Sequence, residues 1–412
     1  MNKNIELMDT REKLIYLRRT LKTTQRALAG DTLTKEFISM VEGGKRNMSR
    51  EVAITVMKNA LNLANEKGID LELDEEYLTR SKEDDLCGIC DKLDNTMENF
   101  NKIIEYAEEN NYPWAKIMAT KKIGNALFVN KQISKAYEKY ISCINMIDKL
   151  RSNRYKENIY ICLGSISVQM LQYEEALIYY EEALNYCYIN NTLNMKNNII
   201  YNTALTYYYL NDFHRSLKEI YKFKKEESKE RLIVKIEALK GLNYMKIKSL
   251  EEALNIYNKL LKSYDIEGWL KVAIYNNMAL CYMYKGDYKN SNGYYDLAIT
   301  LGKSMKMVIY KVVLDQGHMN RVFGKYEEAK SILLEGMNLS KNIEDYEYKL
   351  RYLEELYLVE ESQNNTKNMK EKILEILTVS KQLNLQNNMI WARKKLIDIA
   401  MKENDLSILK EA

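Results

Sequence analysis

Proline is almost missing from this chain: Pro113 is the only one in 412 residues, and glycine occurs just 15 times. With so few helix breakers, an all-helical fold is the expectation. No run of 18 or more apolar residues occurs, which argues against a transmembrane helix. The start, Met1 to Met8, is polar and lacks the apolar core of a secretion signal, so a cytoplasmic protein is expected. Six scattered cysteines make no disulfide framework. Cys87 and Cys90 form a CxxC, but no second pair and no nearby histidine completes a metal site, so packing is the simpler role. Histidine occurs twice, as His214 and His318, in different parts of the chain. No phosphate-binding glycine loop, nucleophile elbow or paired metal-ligand motif is present. Neither an enzyme nor a bound cofactor or metal is expected.

Charge is nearly balanced, at a net +4, but it is unevenly spread. Residues 11–50 hold ten basic and four acidic side chains, a local +6 that leaves −2 for the rest. A compact basic head on a near-neutral body is a footprint suited to phosphates. In the head, Leu14, Leu17 and Leu21 recur at helical spacing. Thr23 is placed to cap a second helix that ends near Gly30. Thr34 caps a third, with Phe37, Ile38 and Val41 on one side and Lys35, Glu36, Ser39 and Met40 on the other. Gly43 and Gly44 end it. Ser49 caps a fourth helix that stops near Gly68.

Beyond the head, one phrase repeats. A small residue is followed twelve positions later by Ala or Ser, and usually by Tyr four after that. Gly164, Ala176 and Tyr180 form one copy, and Gly241, Ala253 and Tyr257 another. Gly124 and Gly317 start two more; Ala204 with Ser216, and Ala279 with Ser291 and Tyr295, complete the set. The copies lie 37 to 40 residues apart. That period, built from helix-sized pieces, predicts a solenoid of stacked helix pairs. Residues 1–68 are thus read as the head, 69–110 as an acidic linker with a lead-in helix, 111–340 as repeats, and 341–412 as degenerate repeats and a C-terminal cap.

The phrases Thr24-Gln25-Arg26-Ala27-Leu28-Ala29, Phe37-Ile38-Ser39-Met40-Val41-Glu42 and Gly44-Lys45-Arg46-Asn47-Met48-Ser49 resemble the Cro/repressor-type helix-turn-helix family. Met48 stands where proline is common, and the connection between the second and third helices is one residue short. The resemblance implies that Lys35, Glu36, Ser39 and Met40 meet base edges in the major groove. It gives Lys45, Arg46 and Asn47 to the phosphate backbone. Gln25 would meet a phosphate or orient a neighbour. The body resembles tetratricopeptide repeats, strongly in Tyr173-Glu174-Glu175-Ala176 and Tyr326-Glu327-Glu328-Ala329. In such arrays the first helix of each pair lines the concave face of a right-handed solenoid. That register puts Asn198, Tyr201, Asn202, Tyr208 and Tyr209, then Asn276, Asn277 and Tyr284, then Asp315, Gln316, His318 and Arg321 in the groove. Asparagine amides there can hold the backbone of an extended peptide, although a chain with 33 tyrosines and many asparagines puts some there by chance.

Head and body in this order resemble the peptide-pheromone receptors of the Rgg, Rap, NprR, PlcR and PrgX family. The implied function is a cytoplasmic quorum-sensing regulator, a homodimer that grips promoter DNA and is switched by a short peptide. The alternative is a tetratricopeptide adaptor or response-regulator-binding protein controlled by peptide, with DNA binding secondary or absent.

Overall fold

The computed structural model describes residues 7–93, 96–340 and 346–405. Part of the polar start (residues 1–6) and parts of the terminal cap (341–345 and 406–412) lie outside the described residues. Among the described residues all regular structure is helical, and no helix is long and apolar enough to cross a membrane. The chain divides into two compact units, one up to Asn202 and one from Thr203 on.

The first unit opens with the head: α1 (Thr10–Thr20), α2 (Gln25–Ala29), α3 (Lys35–Glu42) and α4 (Arg50–Glu66). Their apolar faces close one small core around Leu14, Leu17, Leu28, Ile38, Val56 and Met57. Thr34 and Ser49 cap α3 and α4 as the sequence predicts. The cap of α2 is Thr24 rather than Thr23. Thr24 has extended backbone and its hydroxyl accepts from the Ala27 amide at 3.2 Å.

The stretch read as an acidic linker is built into this head. Tyr77 and Leu78 join its core, and Ile69, Leu71 and Leu73 pack against it. Lys13, only 1% exposed, reaches across from α1 to ion-pair with Asp85 at 2.6 Å and donates to the Tyr77 and Arg80 carbonyls. Asp85 belongs to α5 (Lys82–Lys92), which leads through α6 (Met97–Glu109) into the repeats. Pro113 is the first residue of α7 (Pro113–Val129), where a missing N–H costs nothing. Glu83 of α5 accepts from the free Trp114 amide there at 2.6 Å. Cys87 and Cys90 face inward on α5, and burial pushes their thiols up to about 12 and about 11.

Helix pairs follow. In the first unit α7 packs on α8 (Ile133–Lys149), and α9 (Lys156–Gln169) on α10 (Tyr173–Ile189). Helix α11 (Lys196–Tyr209) runs through the unit boundary and is followed by α12 (Phe213–Ile220). The second unit continues with α13 (Glu230–Lys246) and α14 (Leu250–Ser263), then α15 (Gly268–Tyr284) and α16 (Tyr288–Gly302). Next come α17 (Lys306–Val322) with α18 (Tyr326–Ser340), α19 (Tyr346–Ser362) with α20 (Thr366–Gln382), and the last helix, α21 (Gln386–Glu403).

Helices end here without proline because one residue per turn turns left-handed. Lys131 (φ 58°), Leu171 (φ 61°), Lys248 (φ 65°) and Gly286 (φ 77°) do so. The next amide then reaches back five residues, as from Gln172 to the Ser167 carbonyl at 2.8 Å.

The repeated phrase is a packing rule. A Cβ on Gly164 would lie 2.5 Å from the Tyr180 ring, one on Gly241 2.6 Å from Tyr257, and one on Gly124 2.8 Å from Tyr140. In these three pairs the first helix is bare where the tyrosine of the second lies across it. Where alanine replaces that glycine, serine replaces the alanine twelve residues on. Its hydroxyl then donates to the carbonyl of the first small residue, Ser216 to Ala204 at 2.7 Å and Ser291 to Ala279 at 2.8 Å. The sixteen-residue glycine–tyrosine contact also recurs between pairs, as Gly336 of α18 against Tyr352 of α19, with Tyr348 where the phrase has Ala or Ser.

Candidate functional site

The outward face of α3 carries Lys35, Glu36, Ser39 and Met40, all exposed, while Ile38 and Val41 go inward. Residues four apart on a helix share a face, so these four form one ridge. The loop after α3 is held close: the Lys45 amide donates to the Met40 carbonyl at 2.8 Å, and Gly44 takes φ 71°. The Arg46 guanidinium lies 4.8 Å from the centre of the Phe37 ring. Lys45, Arg46 and Asn47 are exposed beside the ridge. Gln25 is half-buried, and its amide donates to Glu42 at 2.7 Å, while Arg18 takes the other Glu42 oxygen at 2.7 Å. Gln25 therefore orients a neighbour, tying α1, α2 and α3 together.

In the second unit, the first helices of neighbouring pairs touch one another, α13 with α15, α15 with α17 and α17 with α19. This lays their polar residues side by side. Asn276 of α15 donates to Asp315 of α17 at 2.8 Å. Its own carbonyl oxygen is buried without a partner. Burial raises the Asp315 pKa, against the Asn276 hydrogen bond and the charges of Lys311, His318 and Arg351. One turn on, Glu355 of α19 takes His318 Nδ1 at 3.0 Å and Arg321 Nε at 2.9 Å. Burial would raise Glu355, but these two partners outweigh it and hold the carboxyl below its usual value. Arg321 also lies 3.1 Å from the same His318 nitrogen, which can serve only one partner at a time.

Asn277 lies beside the buried Tyr257 hydroxyl, whose pKa burial pushes well above the ordinary range. The Tyr208 ring packs against Tyr209 at 6.0 Å and Phe213 at 5.7 Å. Tyr284 is exposed, with Lys248 Nζ 3.8 Å from its ring centre. Asn198, exposed, and Tyr201 and Asn202, half-buried, belong to the part of α11 in the first unit.

Gln316 departs from the groove reading. Its amide turns to α16, donating to Asn292 at 3.2 Å and Asp296 at 3.1 Å. One residue rotates a helix by about 100°, so Gln316 cannot share a face with Asp315. It lines instead a cleft of about 390 Å³ with Ile299, Val313 and Ile332. Glu355 was missed in the sequence because the repeat signature lapses after Ser340, leaving no register to count from. His214 is exposed on α12.

The titration of Asp315 has a consequence for stability. Its raised folded-state pKa means that folding opposes its charge, so wild-type stability is reduced as pH rises through that value. Asp315→Asn keeps an oxygen for Asn276 and removes the charge. The variant is expected to be more stable than wild type at pH 8, with the gap closing below about pH 4, where the aspartate is protonated in both states. Urea unfolding at both pH values checks this; a less stable variant at pH 8 would contradict it.

No protein-family model matches the chain, and no curated protein matches it in sequence. Solved structures do resemble it. A signal transduction ATPase with a tetratricopeptide repeat sensor from Pyrococcus horikoshii is 12% identical over 99% of this chain and 72% of that one, with TM-score 0.53. A tetratricopeptide repeat protein from Parabacteroides merdae is 14% identical over 67% of this chain and 98% of that one, with TM-score 0.50. The apo form of the quorum sensor NprR from B. thuringiensis is 15% identical over 98% and 96%, with TM-score 0.46. For the first two the likeness is one of fold: stacked tetratricopeptide-like helix pairs.

Proposed function

We propose that this chain is a peptide-switched transcription regulator that binds promoter DNA as a homodimer in the cytoplasm. The observation that carries the reading is how the head divides its basic residues. Lys13 and Arg18 are tied into ion pairs that build the fold. Lys35, Lys45 and Arg46 are exposed around α3, and no ion pair within the chain is found for them among the described residues. In this reading α3 enters the major groove, Lys35 and Glu36 select guanine and cytosine edges, and Lys45, Arg46 and Asn47 fix the register on phosphates.

The switch belongs to the second unit. Asn277, Asp315, His318 and Arg321 offer donors and acceptors on neighbouring first helices, a match for an extended peptide with an unpaired backbone. A peptide that binds one arrangement of these helices better than another shifts the population toward it. Asn277→Ala is then expected to reduce the peptide response of DNA binding about tenfold in peptide concentration, the equivalent of one or two hydrogen bonds. DNA affinity without peptide should stay as in wild type. Anisotropy of labelled duplex, titrated with peptides encoded by small reading frames beside the gene, measures both. An unaltered peptide response would remove Asn277 from the site.

A further inference from the structure

The cleft that Gln316 lines in the second unit is sorted by chemistry. Its wall is aliphatic: Ile299 of α16, Ile309 and Val313 of α17, and Ile332 and Leu339 of α18, with no aromatic ring. At about 390 Å³ it is small among ligand pockets, which run from about 300 to 1,000 Å³. Four polar side chains complete it. Lys303 and the Asn338 amide supply donors, and Glu335 and the Gln316 side-chain oxygen supply acceptors. Gln316 spends its N–H groups on Asn292 and Asp296, which leaves that oxygen. For the Lys303, Glu335 and Asn338 side chains, no hydrogen bond or ion pair within the chain is found among the described residues. Lys303 and Glu335 both border the cleft, yet they do not pair with each other.

We propose that this cleft binds a small aliphatic zwitterion, either a free amino acid such as leucine or an aliphatic dipeptide. The ligand's carboxylate accepts from Lys303 and Asn338. Its ammonium donates to Glu335 and the Gln316 oxygen. Its side chain lies against the aliphatic wall, which offers branched side chains and no ring for a planar group to stack on. The charges identify the ligand class. A simple anion would leave Glu335 without a partner, a simple cation would leave Lys303, and an uncharged apolar molecule would answer neither. The site spans two successive helix pairs, since α16 closes one pair and α17 and α18 form the next. It meets α17 on a different side from Asp315, because one residue turns the helix by about 100°. The cleft is thus a second small-molecule site that goes beyond the reading above and needs neither DNA nor a signalling peptide.

The test is a saturation-transfer NMR titration of the full chain with L-leucine and, separately, with leucyl-leucine. At least one is expected to bind with Kd of about 1 mM or below. Two analogues probe the charges: 4-methylpentanoate lacks the ammonium of leucine, and 3-methylbutylamine lacks the carboxylate. Each should bind about tenfold more weakly or worse. Lys303 and Glu335 are exposed, so Lys303→Met and Glu335→Gln leave the fold intact, which circular dichroism verifies. Each change should weaken binding of the preferred ligand about tenfold. Tighter binding of leucine assigns the cleft to a free amino acid, and tighter binding of leucyl-leucine to a dipeptide; either supports the site. No binding of either up to about 10 mM overturns the proposal. So does equal binding of an analogue with one charge, or an affinity that neither variant changes. Because no DNA and no signalling peptide are present, the result is separate from that of the DNA reading.

Discussion

Gly164→Ala is expected to destabilise the first unit by about 2 kcal/mol, although alanine is the better helix former by about 1 kcal/mol. The reason is the Tyr180 ring. A Cβ at position 164 would lie 2.5 Å from one ring carbon and 2.8 Å from two others. Carbon atoms do not approach closer than about 3.5 Å without strong repulsion. The ring has nowhere to go: it is 3% exposed, Ala176 and Ala183 beside it are fully buried, and its hydroxyl lies 3.3 Å from that of Ser165. Gly164→Leu forces the ring out and should cost about 4 kcal/mol or more, in the range of losing a core aromatic. Gly88→Ala is the control. Gly88 is also helical, but a Cβ there meets nothing within 4 Å. That change should stabilise by roughly 0.5–1 kcal/mol. Urea unfolding followed by circular dichroism compares the three. If Gly164→Ala were as stable as wild type, the glycine–tyrosine contact would not be what sets the repeat.

The second large effect is on DNA. Lys45→Ala combined with Arg46→Ala should weaken binding to every duplex about ten- to a hundredfold near 0.1 M salt. The slope of log affinity against log salt should flatten by about two, since each phosphate contact contributes about 0.9. Discrimination between sequences should change little, because the loop is assigned to the backbone rather than to bases. Lys35→Ala should do the reverse, relaxing sequence preference more than it lowers nonspecific affinity. Arg46 also stacks on Phe37, so the double variant is checked for folding by its thermal transition. Unchanged affinity and slope in a folded variant would remove the loop from the interface.

These predictions differ in how far the sequence alone supports them. The spacing from Gly164 to Ala176 to Tyr180 is legible because it is a contact between two helices of fixed length, and a fixed contact leaves a fixed spacing. The caps at Thr34 and Ser49 are legible because a cap is a local bond. Thr24 against Thr23 was not, since both carry a hydroxyl and only the backbone angle chooses. Long-range pairing was not legible either. Lys13 reads as one more basic residue of the head, yet its partner Asp85 lies on α5, more than seventy residues on. For the same reason the acidic stretch read as a linker turned out to be packed: Tyr77 and Leu78 sit among too many charges to stand out. In the candidate groove, a family register picked out Asp315, His318 and Arg321, which the fold sets beside neighbouring first helices, but it also picked Gln316, which turns to α16, and it had no means to find Glu355.

The most direct test is the fluorescence anisotropy of duplex DNA from upstream of the chain's own gene, titrated with the protein at several salt concentrations. Each titration is run with and without peptides from neighbouring small reading frames. The account predicts tight, salt-steep binding that one peptide shifts. No binding at any salt, with or without peptide, would contradict it and leave the N-terminal head as a protein-docking module.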